Sequence, residues 1–122
     1  MEKLIVLVVD DDEPVRAVIS AAAESFGCIV IAVASGETAL DYLKKSAPDV
    51  VVSDYSMPGG MTGIDLLRAI RSDPGLKAIP FILATGGGIT KSQAMEAGCN
   101  VFLAKPVSLS VLEAALKEVL PG

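Results

Sequence analysis

The chain has 122 residues, 52% of them hydrophobic, and a net charge of −5; that is enough apolar chain to bury a core and too much for a disordered tail. The acidic balance argues against a nucleic-acid surface, which needs a basic patch, and the absence of histidine removes His-based catalysis and His-ligated zinc. No apolar run approaches the roughly 18–20 residues of a membrane span, and Met1-Glu2-Lys3 leads into strand-like sequence without a signal-peptide pattern, so a cytoplasmic location away from membranes is expected.

Leu4 to Val9 is an unbroken apolar run, the pattern of a strand covered on both faces. It ends in Asp10-Asp11-Asp12-Glu13, and Pro14 suits a first helical turn. Val15, Val18, Ile19, Ala22 and Phe26 recur at helical spacing, which predicts a helix over Pro14 to Phe26, stopped by Gly27. Cys28 to Val33 reads as a second strand. Ser35 is an N-cap for a helix to about Lys45, with Ala39, Leu40 and Leu43 facing inward. Ala47-Pro48-Asp49 breaks the chain before a third strand, Val50 to Asp54. A loop from Met57 to Gly63 leads to a third helix, marked by Ile64, Leu67 and Ile70 and ending near Arg71, before the turn chemistry of Asp73-Pro74-Gly75. Phe81 to Thr85 is the fourth strand, and Gly86-Gly87-Gly88 follows. Thr90 caps a short helix to Ala97 that Gly98 closes. Val101 to Ala104 is the fifth strand, ending at Lys105-Pro106. The last helix opens at Ser108, or one turn later through a Ser110/Glu113 capping box, with Leu109, Leu112, Leu116 and Val119 as its apolar stripe.

Strand and helix alternate five times over residues 1–122, with no linker. Such alternation means a parallel sheet with helices on both faces, and ligands in such sheets bind at the carboxyl ends of the strands. Four of the five strands deliver a polar group there: Asp10 and Asp11, then Asp54, Thr85 and Lys105. Clustered carboxylates repel and call for a cation. Oxygen donors without histidine or thiolate select Mg²⁺ or a similar hard divalent ion. A lysine would oppose that ion unless an anion lay between them, and phosphoryl is the natural candidate. A carboxylate such as Asp54 can itself be the nucleophile, giving an aspartyl phosphate.

The Val-Asp-Asp-Asp-Glu-Pro-Val-Arg run, Asp54-x-x-Met57-Pro58, Thr85 and Lys105-Pro106, in this order and spacing, resemble the response-regulator receiver domain of two-component signalling, with a chemotaxis-regulator-like pattern over essentially the whole chain. The resemblance implies a single flavodoxin-like domain of order 2-1-3-4-5 that takes a phosphoryl group from a histidine kinase or histidine phosphotransfer protein. Asp54 matches the phosphoacceptor. Asp10, Asp11 and the Ser56 backbone carbonyl match the Mg²⁺ ligands, Asp10 largely through water. Lys105 matches the lysine that pairs with the phosphoryl group, Thr85 the switch hydroxyl and Phe102 the switch aromatic. Asp12 and Glu13 read better as helix capping, Tyr55 as a rim residue and Met57 as packing. The implied protein is a switch that catalyses only its own phosphorylation and dephosphorylation, read out by a downstream partner or a fused domain.

Two rivals remain on the same residues. An aspartyl-nucleophile phosphatase would want an acid two residues after Asp54, where Ser56 stands. A phosphorylation-independent interaction module would lack one of Asp11, Asp54, Thr85 or Lys105, and all are present. The chain also departs from the family pattern. Gly59-Gly60 make the loop after Pro58 one residue longer than usual, and the stretch from Thr85 to Gly98 is about two residues shorter. A mobile glycine loop and a short fourth helix are expected. Ser56 and Gly87, both small, leave the approach of a hydrolytic water open. Cys28 and Cys99 are isolated thiols; the implied strand order sets them roughly 19 Å apart at about 4.8 Å per strand, beyond disulfide reach.

Overall fold

A computed structural model describes residues 3–121. The strands are β1 (Ile5–Val9), β2 (Ile29–Val33), β3 (Val50–Ser53), β4 (Phe81–Thr85) and β5 (Val101–Ala104), all parallel, in the order β2-β1-β3-β4-β5. The three strands that are buried almost throughout, β1, β3 and β4, occupy the centre, where both faces are covered. The edge strands β2 and β5 are half exposed, as partners on one side only would leave them.

Alternation along each strand sorts the core into two layers. Val6 and Val8 of β1 face α1 (Glu13–Glu24) and α5 (Leu109–Val119), whose Ile19, Ala22, Leu112 and Leu116 complete one cluster. Leu7 and Val9 face the other side, where α2 (Gly36–Leu43), α3 (Gly63–Ser72) and α4 (Lys91–Glu96) contribute Ala39, Leu67, Ile70 and Ala94. The flavodoxin-like (βα)5 architecture expected from the alternation is therefore present. No described helix is long and apolar enough to cross a membrane.

Side chains fix the helix starts. The Val15 N–H donates to Asp12 Oδ1 at 3.2 Å, which makes Asp12 the cap of α1. Ser35 caps α2 and Ser108 caps α5. Reciprocal capping boxes, Thr62 with Asp65 and Thr90 with Gln93, open α3 and α4. The alternative start at Ser110 is not used, and Glu113 instead accepts a hydrogen bond from the Ser25 hydroxyl at 2.8 Å, tying α5 to the end of α1.

Helical spacing misassigned three apolar residues. Helix α1 stops at Glu24, so Phe26 lies beyond it and is 42% exposed. Val18 is 41% and Leu109 45% exposed; α1 packs on α5, β2 and β1, and an open groove lies along its N-terminal half. The fourth helix is short, six residues, as the spacing predicted. Cys28 and Cys99 are both free and buried, at opposite edges of the sheet. Burial pushes both thiols up.

Candidate functional site

Register brings the acids together. Val9 of β1 is paired with Ser53 of β3, so the next residue of each strand, Asp10 and Asp54, leaves the sheet at the same level. The ladder continues into them: Asp10 N–H donates to the Val33 carbonyl at 3.1 Å and Asp54 N–H to the Val9 carbonyl at 2.9 Å. Asp11 follows at the rim and is exposed. One carboxylate oxygen from each of Asp10, Asp11 and Asp54 lies within 4.8 Å of the other two.

Lys105 reaches them from the far strand. Its N–H donates to the Thr85 carbonyl at 2.9 Å, holding the end of β5 beside β4, and its peptide bond to Pro106 is cis. The ammonium sits 2.8 Å from Asp10 Oδ2 and 3.2 Å from Asp54 Oδ2. Asp10 is wholly buried, and its Oδ1 accepts the Asp12 N–H at 2.9 Å. Asp54 is 8% exposed, and its Oδ1 accepts the Tyr55 N–H at 2.7 Å.

Burial pushes the Asp54 carboxyl above its usual range; Lys105 pulls it back and the charge of Asp10 pushes it up again. Burial pushes the Lys105 ammonium down, but its hydrogen bond to Asp10 and the charges of Asp10 and Asp54 outweigh this, and the net displacement is upward. Against three carboxylates, the described residues set this one ammonium in salt-bridge contact. The site therefore carries an excess of negative charge that suits a hard cation.

Asp54, Ser56, Thr85, Lys105 and the glycines Gly86 to Gly88 line one open cleft of ≈ 510 Å³. The Thr85 side chain is turned toward the glycines: its hydroxyl donates to the Gly87 carbonyl at 2.9 Å and accepts the Gly87 N–H at 3.3 Å. Six of the seven residues expected at the site are thus gathered there. Phe102 stands behind it, in register with Leu83, on the sheet face that Thr85 shares and half-buried against the core. Beside the cleft, across Lys105, runs an apolar groove of ≈ 430 Å³ between Pro14, Val15 and Val18 of α1 and Pro106 and Val107.

Other residues serve the site without having stood out in the sequence. Arg16 Nη1 donates to the Asp10 carbonyl at 2.8 Å, fixing the backbone of the acidic run from α1. Its place in the motif was the only signal. Gly63 closes the loop after Asp54 by donating its N–H to the Tyr55 carbonyl at 2.8 Å, and a side chain there would collide with the Asp54 carbonyl oxygen. Tyr55 is half-buried, with its ring against Gly88 rather than free at the rim.

Residues 6–117 match the family model described as the response regulator receiver domain. The chain is 37% identical over 117 residues to the chemotaxis protein CheY of Pseudomonas aeruginosa, covering 93% of this chain and 94% of that one. Among solved structures it is similar to the chemotaxis response regulator CheY4 of Vibrio cholerae, with TM-score 0.89, 30% identity, and 98% of this chain and 100% of that chain covered. It is also similar to the receiver domain of the sensor histidine kinase PA1611 from Pseudomonas aeruginosa, a structure with a magnesium ion coordinated in the active-site cleft, at TM-score 0.84 and 27% identity over 97% of this chain and 98% of that one. Fold, cleft and sequence matches agree: the chain belongs to the response-regulator receiver family of two-component signalling.

Proposed function

We propose that Asp54 is the phosphoacceptor of a two-component switch, and that a histidine kinase or histidine phosphotransfer protein is its donor. One observation carries this reading: a buried carboxylate whose charge is only partly compensated, with a lysine ammonium 3.2 Å away and two further acids beside it. An Asp54 carboxylate oxygen forms the new O–P bond as the N–P bond of the donor phosphohistidine breaks, and the electron pair returns to the imidazole nitrogen. Such transfer asks mainly for positioning and charge neutralisation. Lys105 is placed to meet a phosphoryl oxygen, and Thr85 to donate to another once its hydroxyl leaves the Gly87 carbonyl.

The carboxylates of Asp10, Asp11 and Asp54 and the Ser56 backbone carbonyl would hold Mg²⁺. The donor set fits: all oxygen, with an uncompensated negative charge. The magnesium ion in the PA1611 receiver cleft supports the choice. Bound there, the ion supplies positive charge to the phosphoryl oxygens. The apolar groove across Lys105 supports docking of the donor, since an apolar helix face seated there would bring its phosphohistidine to Asp54. Downstream, Thr85 and Phe102 bias a two-state equilibrium that a partner or fused domain reads. In this reading the chain is a switch that catalyses only its own phosphorylation and dephosphorylation.

The test is incubation with a small acyl-phosphate donor and Mg²⁺, read by intact mass. The parent is expected to gain one phosphoryl group and Asp54→Asn none; a parent of unchanged mass sinks the proposal.

A further inference from the structure

The loop after Asp54 makes an excursion that its end points do not require. Its two ends are pinned together by the hydrogen bond from Gly63 N–H to the Tyr55 carbonyl, yet residues 56–62 swing out between them. At the far point Gly59 and Gly60 have φ of +93° and +87°. The chain passes twice in succession through the left-handed region, which glycine enters without the penalty of a Cβ. This turn, which contains the loop's extra residue, delivers Met61 to the start of α2.

There the fit is close. A Cβ on Gly36, the first residue of α2, would lie 2.7 Å from Met61 Sδ and 2.8 Å from its Cγ. A Cβ on Gly59 would lie 2.9 Å from Glu37 Oε1. Met61 therefore fills a notch that exists because residue 36 has no side chain, and Glu37 lies along the turn beside it. Met57, the residue directly after Ser56, packs against the same core layer as Met61. The backbone at Ser56 is consequently held from three places: the Gly63–Tyr55 closure, Met57 in the core and Met61 in the notch.

We propose that Met61, seated against Gly36, is a positioning residue for the metal: it aims the loop that presents the Ser56 carbonyl to the Asp54 cleft. The proposal rests on the reading above that this carbonyl and the carboxylates hold Mg²⁺. A backbone carbonyl has no rotamer with which to correct its aim, so its direction is the direction of its loop. Mg²⁺ demands near-ideal octahedral geometry at short distance, whereas Ca²⁺ accepts irregular shells of varied ligand number. A loosened loop should thus weaken Mg²⁺ selectively, while a change in site charge would weaken both ions.

The experiment is calorimetric titration of Mg²⁺ and of Ca²⁺ into the parent, Met61→Ala, Met61→Leu and Gly36→Ala, with thermal melts of each. Met61→Ala empties the notch, Gly36→Ala fills it from the other side, and Met61→Leu keeps it occupied. The expected result is an Mg²⁺ affinity about tenfold weaker in Met61→Ala and Gly36→Ala, the low end of the range for residues that support metal ligands, with Ca²⁺ affinity changed less and Met61→Leu close to the parent. Phosphorylation at saturating Mg²⁺ should recover the parental rate. Should Met61→Ala not fold, Gly36→Ala alone decides. Lowered melting temperatures with parental Mg²⁺ affinity, or equal losses for both ions, overturn the proposal and leave Met61 as packing. A parent that binds no Mg²⁺ overturns the metal reading itself, before any variant is compared.

Discussion

The surroundings of Asp54 disfavour its ionised form. Burial raises its carboxyl above the ordinary range, and Lys105, although in contact, does not cancel burial together with the charge of Asp10. A carboxyl whose folded value is raised stabilises the fold below its unfolded value, and that contribution is lost as pH climbs through the folded value. Asp54→Asn, which is neutral at every pH, is therefore expected to melt higher than the parent near neutrality without divalent ions. The advantage should shrink toward acid pH as the parental carboxyl takes up its proton. Melts across that range check this, and an Asn variant no more stable than the parent near neutrality contradicts it. The small residues around the cleft make a second, separate statement. Ser56 and Gly87 both line it and neither shields Asp54. Gly87 has φ +143°, a conformation side chains rarely adopt, so a bulky residue there would disturb the backbone as well as the cleft. Ser56 is exposed and free of that constraint. Ser56→Gln should lengthen the life of the aspartyl phosphate several-fold, followed as loss of phosphoryl mass after the donor is removed. A lifetime equal to the parent's refutes shielding as the control.

The elements around the site are held by unequal means. Helix α4 has six residues, too few to be stable by itself, and its C-terminal turn is anchored from α3. Arg71, near the end of α3, donates from Nε at 3.1 Å and from Nη2 at 2.9 Å to the Gly98 carbonyl. It also donates from Nη1 to the Lys77 and Ile79 carbonyls at 3.1 and 2.6 Å, and from Nη2 to Asn100 Oδ1 at 2.9 Å. Asn100 Oδ1 in turn accepts the Phe81 N–H at 2.8 Å. One planar fork thus joins the end of α3, the entry to β4 and the turn between α4 and β5. Arg71→Ala should lower stability by roughly 1.5–3 kcal/mol, the scale of hydrogen bonds from a charged donor, seen as a lower urea midpoint with an unchanged slope. Arg71→Lys should recover little, because an ammonium cannot span acceptors that a guanidinium meets in one plane. A lysine variant as stable as the parent would mean that the charge, not the fork, is what matters. Helices α1 and α5 are fastened differently, by apolar packing and the Ser25–Glu113 hydrogen bond. Val18 and Leu109 stay exposed, and the groove beside Lys105 lies along the N-terminal half of α1.

Across the whole molecule, the alternation of strand and helix and the groups at the sheet's carboxyl edge were legible because both follow from local patterns, whereas the strand order came only from the resemblance to the receiver family. All five strands are apolar without alternation, which fits a sheet covered by helices on both faces; Ile29 to Val33 and Val101 to Ala104 share the pattern of Leu4 to Val9 yet lie at the edges, so the pattern marks strands without separating centre from edge. Charged groups cannot continue such runs, so each strand's end is marked by the residue that lines the site: Asp10, Asp54, Thr85 and Lys105. Helix starts were equally readable at Asp12, Ser35 and Thr90, since capping acts over three residues. Helix ends and outward faces were not, because Phe26 and Leu109 have helical spacing whether or not a neighbour arrives to cover them. The choice between Ser108 and Ser110 depended on Ser25, far away in sequence, claiming Glu113. The extra glycine after Pro58 could be counted but not interpreted. By itself the sequence determined the alternation of strand and helix and the identity of the groups at the strand ends, because periodicity, capping and charge are properties of neighbouring residues. Tertiary structure alone decided that Arg71 ties the α3–β4 connection to the turn between α4 and β5 and that Met61 occupies the notch at Gly36, because each is a contact between segments whose separation in sequence carries no trace of their distance in space.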